Sequence, residues 1–254
     1  MCEQPWRRFV LLLSFSNRYR ELRVHMYDRS GGLVSPSFNI NTNPDAYLQV
    51  LGAIAFGIPE CLGYDQTIVF YVTPSARTSN SRRTAKTYDI VQVLFYSRGL
   101  TGRGTVCYLA RFKNKEFIIK DHWVQGEDSQ DVLNEVEMLK RMQGVPGVPR
   151  LEDYWVVQRG DGTPDITSEL RFKLFPSTSN SYRTHVRLVL TPCARPLHEF
   201  RSKRELVTAL HDIVSSRYFF IAQGPSLTDR PASQSYEQHP SVILFIAIVA
   251  STTR

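Results

Sequence analysis

Apolar residues in this chain fall into short runs and spaced faces separated by turn-forming clusters. From Arg8 to Ser14 and from Glu21 to Tyr27, β-forming residues dominate. Ser16-Asn17 and the stretch Asp28 to Gly32 read as the turns beside them. Asn43-Pro44-Asp45 then opens a helix, with Asn as the cap, Pro at the first helical position and an acid in the first turn. Tyr47, Leu48, Leu51, Ile54 and Ala55 give that helix an apolar face, and Gly57-Ile58-Pro59 stop it. The pattern predicts a small α+β unit over residues 7–72.

The next stretch, residues 73–88, is polar and basic and reads as a linker. A second unit covers residues 89–214. Tyr108 to Phe112 and Glu116 to Lys120 are strands around a hairpin turn at Lys113-Asn114-Lys115. A helix follows over residues 128–142, capped by Asp128 or Ser129, and GVPGVP breaks it before a strand that starts at Arg150. Residues 158–184 are turn-rich and read as a loop insertion, and His185 to Leu190 is a strand. Ser202 and Glu205 form a capping box for a helix over residues 202–214, whose apolar face is Leu206, Val207, Leu210, Ile213 and Val214. Residues 215–254 diverge, with no sustained periodicity before the apolar run Val242 to Ala250.

Composition narrows the class. The chain has 254 residues, 42% hydrophobic and 22% charged, with a net charge of +7. Those values exclude wholesale disorder, a collagen-like fibre and a coiled-coil rod. Cys2, Cys61, Cys107 and Cys193 are scattered without a CxxC spacing, which argues against a zinc site and a disulfide scaffold. The apolar run Phe9 to Leu13 is too short for a signal peptide. The nine residues from Val242 to Ala250 fall short of the roughly 20 that a spanning helix needs. The expected location is intracellular, in cytoplasm or nucleus. Positive charge raises nucleic acid as a partner, through Arg77, Arg82, Arg83 and Lys86. That stretch lacks interleaved aromatics for base stacking, so nonspecific nucleic-acid binding stands only as a second alternative.

Candidate chemistry centres on Lys120 and Glu135. At about 100° per residue from Val132, Glu135 falls near −60°, between Leu139 and Met142 on the apolar side, whereas Glu137 falls near 140°. A carboxylate on that side needs a partner, and Lys120 ends the strand Phe117-Ile118-Ile119-Lys120 just before the helix. The alternative is a Glu135 that snorkels outward beside a strand-end lysine. Gly102 and Gly104 sit at a turn where backbone amides can approach a phosphate, or where the chain simply turns.

The order of these features resembles the small lobe of a protein kinase: a glycine-bearing hairpin, a strand carrying Lys, a helix with an inward Glu, then two strands. TVCYLAR at residues 105–111 is similar to the G-V-V-Y-K-A-R that closes many kinase glycine loops, and FIIK at 117–120 to V-A-I-K. LNEVEML at 133–139 resembles the helix that carries the paired Glu, RLEDYW at 150–155 the following strand, and RLVLTPCARPL at 187–197 the strand leading to the hinge. YDRSGG, FNIN, LGYDQTI and IIKDHW resemble the F-D-R-S-G-G, F-D-I-N, L-G-F-D-P-T-I and V-I-K-D-S-W of the fungal-type protein kinase family. The similarity runs from about Arg7 to Val214.

The resemblance implies an α+β fold, a protein kinase-like small lobe with an antiparallel sheet and one packed helix, preceded by a small α+β unit. It implies ATP with Mg²⁺ as cofactors and phosphoryl transfer to protein Ser or Thr as the family activity. Lys120 would hold the α- and β-phosphates with Glu135 fixing it. Gly102 and Gly104 would lie over the phosphates, Cys107 would stand in the ATP site in place of the loop's usual valine, and the hinge backbone from Leu190 to Cys193 would bind adenine. The sequence departs from the family in several places. Leu100 and Thr105 replace loop glycines, and Ile118 replaces the alanine of V-A-I-K. No histidine precedes Arg-Asp, His211-Asp212 lies within a helix, and D-F-G and A-P-E are missing. The expectation is a catalytically incomplete fragment, truncated before the large lobe, with no catalytic residue and no metal ligand. Residues 215–254 would be either a gene-model artefact or a docking tail. A pseudokinase-like interaction module is the alternative, self-associating or binding a protein through helix 202–214 and the 242–250 run.

Overall fold

A computed structural model describes residues 4, 6–70, 76–79, 86–126, 132–145, 147–171, 182–193 and 197–223. The first sheet consists of β1 (Phe9–Ser16), β2 (Glu21–Asp28), β3 (Gly31–Val34) and β4 (Phe38–Asn39), and α1 (Pro44–Phe56) follows it. The second sheet takes β5 (Ile68–Phe70), β6 (Ala76–Ser79), β7 (Thr87–Tyr96), β8 (Val106–Phe112), β9 (Lys115–Gln125), β10 (Arg150–Val156) and β11 (Arg183–Thr191). Its strand order is β10-β11-β9-β8-β7-β6-β5, antiparallel throughout. The helices around it are α2 (Asn134–Arg141), the short α3 (Thr167–Leu170) and α4 (Lys203–Gln223). This is an α+β architecture with the sheet and helix of a kinase-like small lobe.

Local chemistry explains the hairpins and caps. Lys113 and Asn114 both have positive φ (47° and 61°), so a two-residue turn with the twist of its strands joins β8 to β9. The Asn43 side chain accepts from the Ala46 N–H at 3.3 Å and caps α1. Before α4, the Glu205 N–H donates to the Ser202 hydroxyl at 3.1 Å, and the Glu205 carboxylate accepts from the Arg201 N–H at 2.6 Å.

β9 runs through the middle of the second sheet and sends alternate side chains to opposite faces. On one face Cys107, Ile118, Val186, Leu188 and Leu190 pack against Val132, Val136, Leu139 and Met142 at α2. On the other, Tyr108, Ile119 and Val189 pack with Ile68, Tyr88 and Trp155. Phe9, Trp123 and Leu170 form a third cluster, which ties the first sheet and α3 to β9. Both faces of the strand that carries Lys120 are therefore covered.

The structure corrects several boundaries. Residues 73–88 are not simply a linker: Ala76–Ser79 pairs with both β5 and β7, and β7 starts at Thr87. β5 lies in the unit read as 7–72, yet it joins the second sheet, so the sheet crosses that boundary. β-Pairing decides this: the backbone of β6 is satisfied by β5 on one side and β7 on the other. Lys120 does not close its strand, because β9 continues to Gln125. The helix read as 128–142 is regular over Asn134–Arg141, and its expected caps Asp128 and Ser129 lie outside the described residues. In the expected loop 158–184, the part up to Arg171 is built in: Gln158 bridges Pro164, Ile166 bridges Thr184, and Asp165 is buried. The helix read as ending at Val214 continues to Gln223; Ser215 and Ser216 do not stop a helix, and the first strong breakers are Gly224-Pro225. Of the apolar face expected on α1, Leu48, Leu51 and Ala55 are exposed and Tyr47 and Ile54 are half-buried. No helix among the described residues is long and apolar enough to cross a membrane, and the 242–250 run lies outside them.

Candidate nucleotide-phosphate site

β9 and α2 bring Lys120 and Glu135 together. The Lys120 ammonium donates to one Glu135 oxygen, and Lys120 is only 2% exposed. The second Glu135 oxygen accepts from Arg103 Nη2 at 2.6 Å and lies 3.3 Å from His122 Nε2. Burial pushes the Glu135 carboxyl up, but Lys120, His122 and Arg103 outweigh it and hold the group well below the ordinary carboxylate range. Burial also pushes His122 down, to about 4 against the pull of Glu135, so this imidazole is neutral at pH 7. The inward pairing thus replaces the outward, snorkelling Glu135 considered from spacing alone. Glu137 takes the solvent side and pairs with Lys140 at 2.8 Å.

The glycine-bearing loop between β7 and β8 reaches this pair through the Arg103 side chain. Arg29 holds it from the N-terminal unit: Arg29 Nη1 donates to the Gly99 carbonyl at 2.8 Å, and the Gly102 N–H donates to the Arg29 carbonyl at 2.9 Å. The Arg103 carbonyl accepts from the Trp123 N–H at 2.8 Å. Gly104, with φ +49°, has no room for a side chain, because a Cβ there would lie 2.3 Å from the Arg29 guanidinium. Gly102 has φ +97° and open space around its Cβ position. One of the two glycines is therefore explained by protein contact, without any appeal to phosphate.

The remaining expected site residues occupy the α2 face. Cys107 is the register partner of Lys120, and Leu190 that of Ile118; both are buried in the cluster under α2. Burial pushes the Cys107 thiol far up. Cys193 packs partly buried against the same cluster, and burial pushes its thiol up to about 11. Of the basic residues between the units, Lys86 reaches Asp153 at 3.5 Å, and Arg82 and Arg83 lie outside the described residues.

The opposite face of β9 carries a network that hydropathy spacing did not reveal. Arg187 on β11 bonds to Asp65 and, at 3.1 Å, to Asp121. His185 bonds through Nε2 to Asp121 and through Nδ1 to Asp165 at 2.9 Å. Arg8 Nε lies 2.8 Å from Asp165, and Arg171 forks onto Asp28 with two bonds of 2.7 Å. Burial pushes the His185 imidazole down, but Asp121 and Asp165 outweigh it and raise it to about 9, so it is cationic. Burial pushes Asp65 and Asp121 up, and Arg187 foremost brings both below the ordinary carboxylate range. Asp65, Asp121 and His185 place ligand-type atoms within 4.8 Å of one another. Arg187 and the cationic His185 already neutralise those carboxylates, so the arrangement is an ion-pair network. The acids of YDRSGG, LGYDQT and IIKDHW are thus docking groups. The usable signal was period-two alternation in Lys120-Asp121-His122-Trp123, which sends Asp121 away from the face that Lys120 takes.

A central strand with a buried Lys, a helix that supplies its Glu and a glycine-bearing loop that reaches that Glu through Arg103 define the small lobe of a protein kinase-type molecule. The family model described as fungal protein kinase matches residues 1–223. The chain belongs to the fungal protein kinase family. No curated protein and no solved structure matches it.

Proposed function

We propose that the chain is a nucleotide-binding small lobe that takes ATP, with Mg²⁺, at the Lys120–Glu135 pair. The observation that carries this reading is the buried ammonium–carboxylate pair between β9 and α2, touched by Arg103 from a loop with two positive-φ glycines. Phosphoryl transfer asks the protein mainly for positioning and charge stabilisation, and a lysine fixed by a carboxylate supplies both at the α- and β-phosphates. Cys193, partly buried at the edge of the same face, is the candidate to meet the base, while Cys107 and Leu190 are closed under α2. The 254 residues carry no H-R-D, D-F-G or A-P-E motif. The reading for these residues is therefore nucleotide binding, and transfer to protein Ser or Thr is the activity the family resemblance implies. Calorimetric titration of ATP, with and without Mg²⁺, tests it. The expected result is binding by the wild-type chain that weakens at least about tenfold in Lys120→Met, the scale of a lost charged hydrogen bond. A folded wild-type chain that binds no ATP rejects the reading.

A second reading, a pseudokinase-like interaction module, draws on one observation. Val207, Leu210 and Val214 form an exposed line along α4, while Ala209 is turned inward. Such a line supports self-association or a protein partner.

A further inference from the structure

We infer that Arg103 is a second phosphate-binding residue of the site, acting beside Lys120; this rests on the nucleotide reading above. The loop sequence Gly102-Arg103-Gly104 puts a long cation where a kinase glycine loop crosses the phosphates, and Arg103 Nη2 reaches Glu135 Oε2 at 2.6 Å. Lys120 binds the other oxygen of the same carboxylate. The two cations differ in access. Lys120 is 2% exposed, and the Arg103 side chain is 26% exposed. Arg103 is therefore the more accessible of the two cations that share Glu135.

The placement of Arg103 is held on both sides. Its carbonyl is anchored by Trp123 N–H, and the loop before it by Arg29, so the side chain is offered from a fixed backbone. Chemistry favours phosphate as the ligand, because a guanidinium presents a planar fork of donors that matches two phosphate oxygens. The loop itself gives a further reason. Leu100 and Thr105 stand where kinase loops carry glycine, and Arg29 fills the space beside Gly104, which limits close approach of backbone amides to a phosphate. A side-chain cation in the same loop supplies the charge that those amides would provide. Glu135 then plays two parts, fixing Lys120 through one oxygen and docking Arg103 through the other.

The test titrates the full chain with ATP, with inorganic tripolyphosphate, which lacks the base, and with adenosine, which lacks the phosphates. Arg103→Ala is expected to weaken ATP and tripolyphosphate at least about tenfold, in line with one lost charged hydrogen bond, and to leave adenosine unchanged. Arg103→Lys keeps the charge without the fork and is expected to fall between the two. It also keeps the test decisive should the alanine variant fail to fold, which circular dichroism monitors. Wild-type binding of ATP with equal or tighter binding by the folded variants overturns the role of Arg103 alone. A folded wild-type chain that binds neither ATP nor tripolyphosphate overturns the nucleotide reading and this inference together.

Discussion

Gly104 shows how one residue here answers to a neighbour in another unit. Its φ is +49°, and a methyl group on it would lie 2.3 Å from an Arg29 guanidinium that is itself buried and bonded to Gly99 and Leu100. Arg29 cannot give way cheaply, so Gly104→Ala is expected to cost about 1–3 kcal/mol. In an Arg29→Ala background the clash is gone and only the backbone cost of about 1 kcal/mol remains. Chemical denaturation of the four proteins checks this double-mutant cycle, and strict additivity would contradict the contact. His185 gives a second expectation at this scale. Its folded value of about 9 lies above the ordinary 6.5, so its contribution to stability is fully present below about pH 6.5 and is lost as pH rises through about 9. That loss amounts to about 3 kcal/mol. Melting temperature followed from pH 6.5 to 9 should fall in the wild-type chain and flatten in His185→Gln; equal slopes would contradict it.

At the scale of elements, β9 does most of the organising, and what could be read of it in advance follows from its two faces. The apolar spacing of Val132, Val136 and Leu139 placed Glu135 on the side that meets Lys120, because helical periodicity is local information. The ion pairs on the other face were not legible, since Arg8, Asp65, Asp165 and Arg187 are brought together only by tertiary packing. For the same reason a polar stretch such as Ala76–Ser79 looked like linker: its strand character comes from its partners β5 and β7. Arg187→Leu removes the guanidinium shared by Asp65 and Asp121 and leaves two buried carboxylates, so it should cost about 3–5 kcal/mol by denaturant titration. Under the interaction-module reading, Val207→Glu with Leu210→Glu on α4 should abolish concentration-dependent association in sedimentation velocity. Association that persists in the double variant would remove α4 from that role.

In the whole molecule, the N-terminal sheet and the kinase-like lobe are joined through charged groups as well as through Phe9, Trp123 and Leu170. Asp28 meets Arg171, Arg8 and Asp65 meet Asp165 and Arg187, and Arg29 reaches into the glycine loop. The motifs YDRSGG and LGYDQT were recognisable as a family signature, but their physical purpose needed the fold: they fasten one unit to the back of the strand whose front holds Lys120. Unfolding should accordingly proceed as one transition by fluorescence and by far-ultraviolet dichroism, and two separated transitions would contradict a joined body. The central claim is that the buried Lys120–Glu135 pair is a nucleotide-phosphate site. The most direct test is labelling with an ATP analogue bearing an acyl phosphate, which passes its acyl group to a lysine amine lying beside the phosphates. Mass spectrometry of the labelled chain should find the acyl group on Lys120, and excess ATP should suppress it. A folded chain in which Lys120 stays unlabelled, or is labelled equally with ATP present, would contradict the claim.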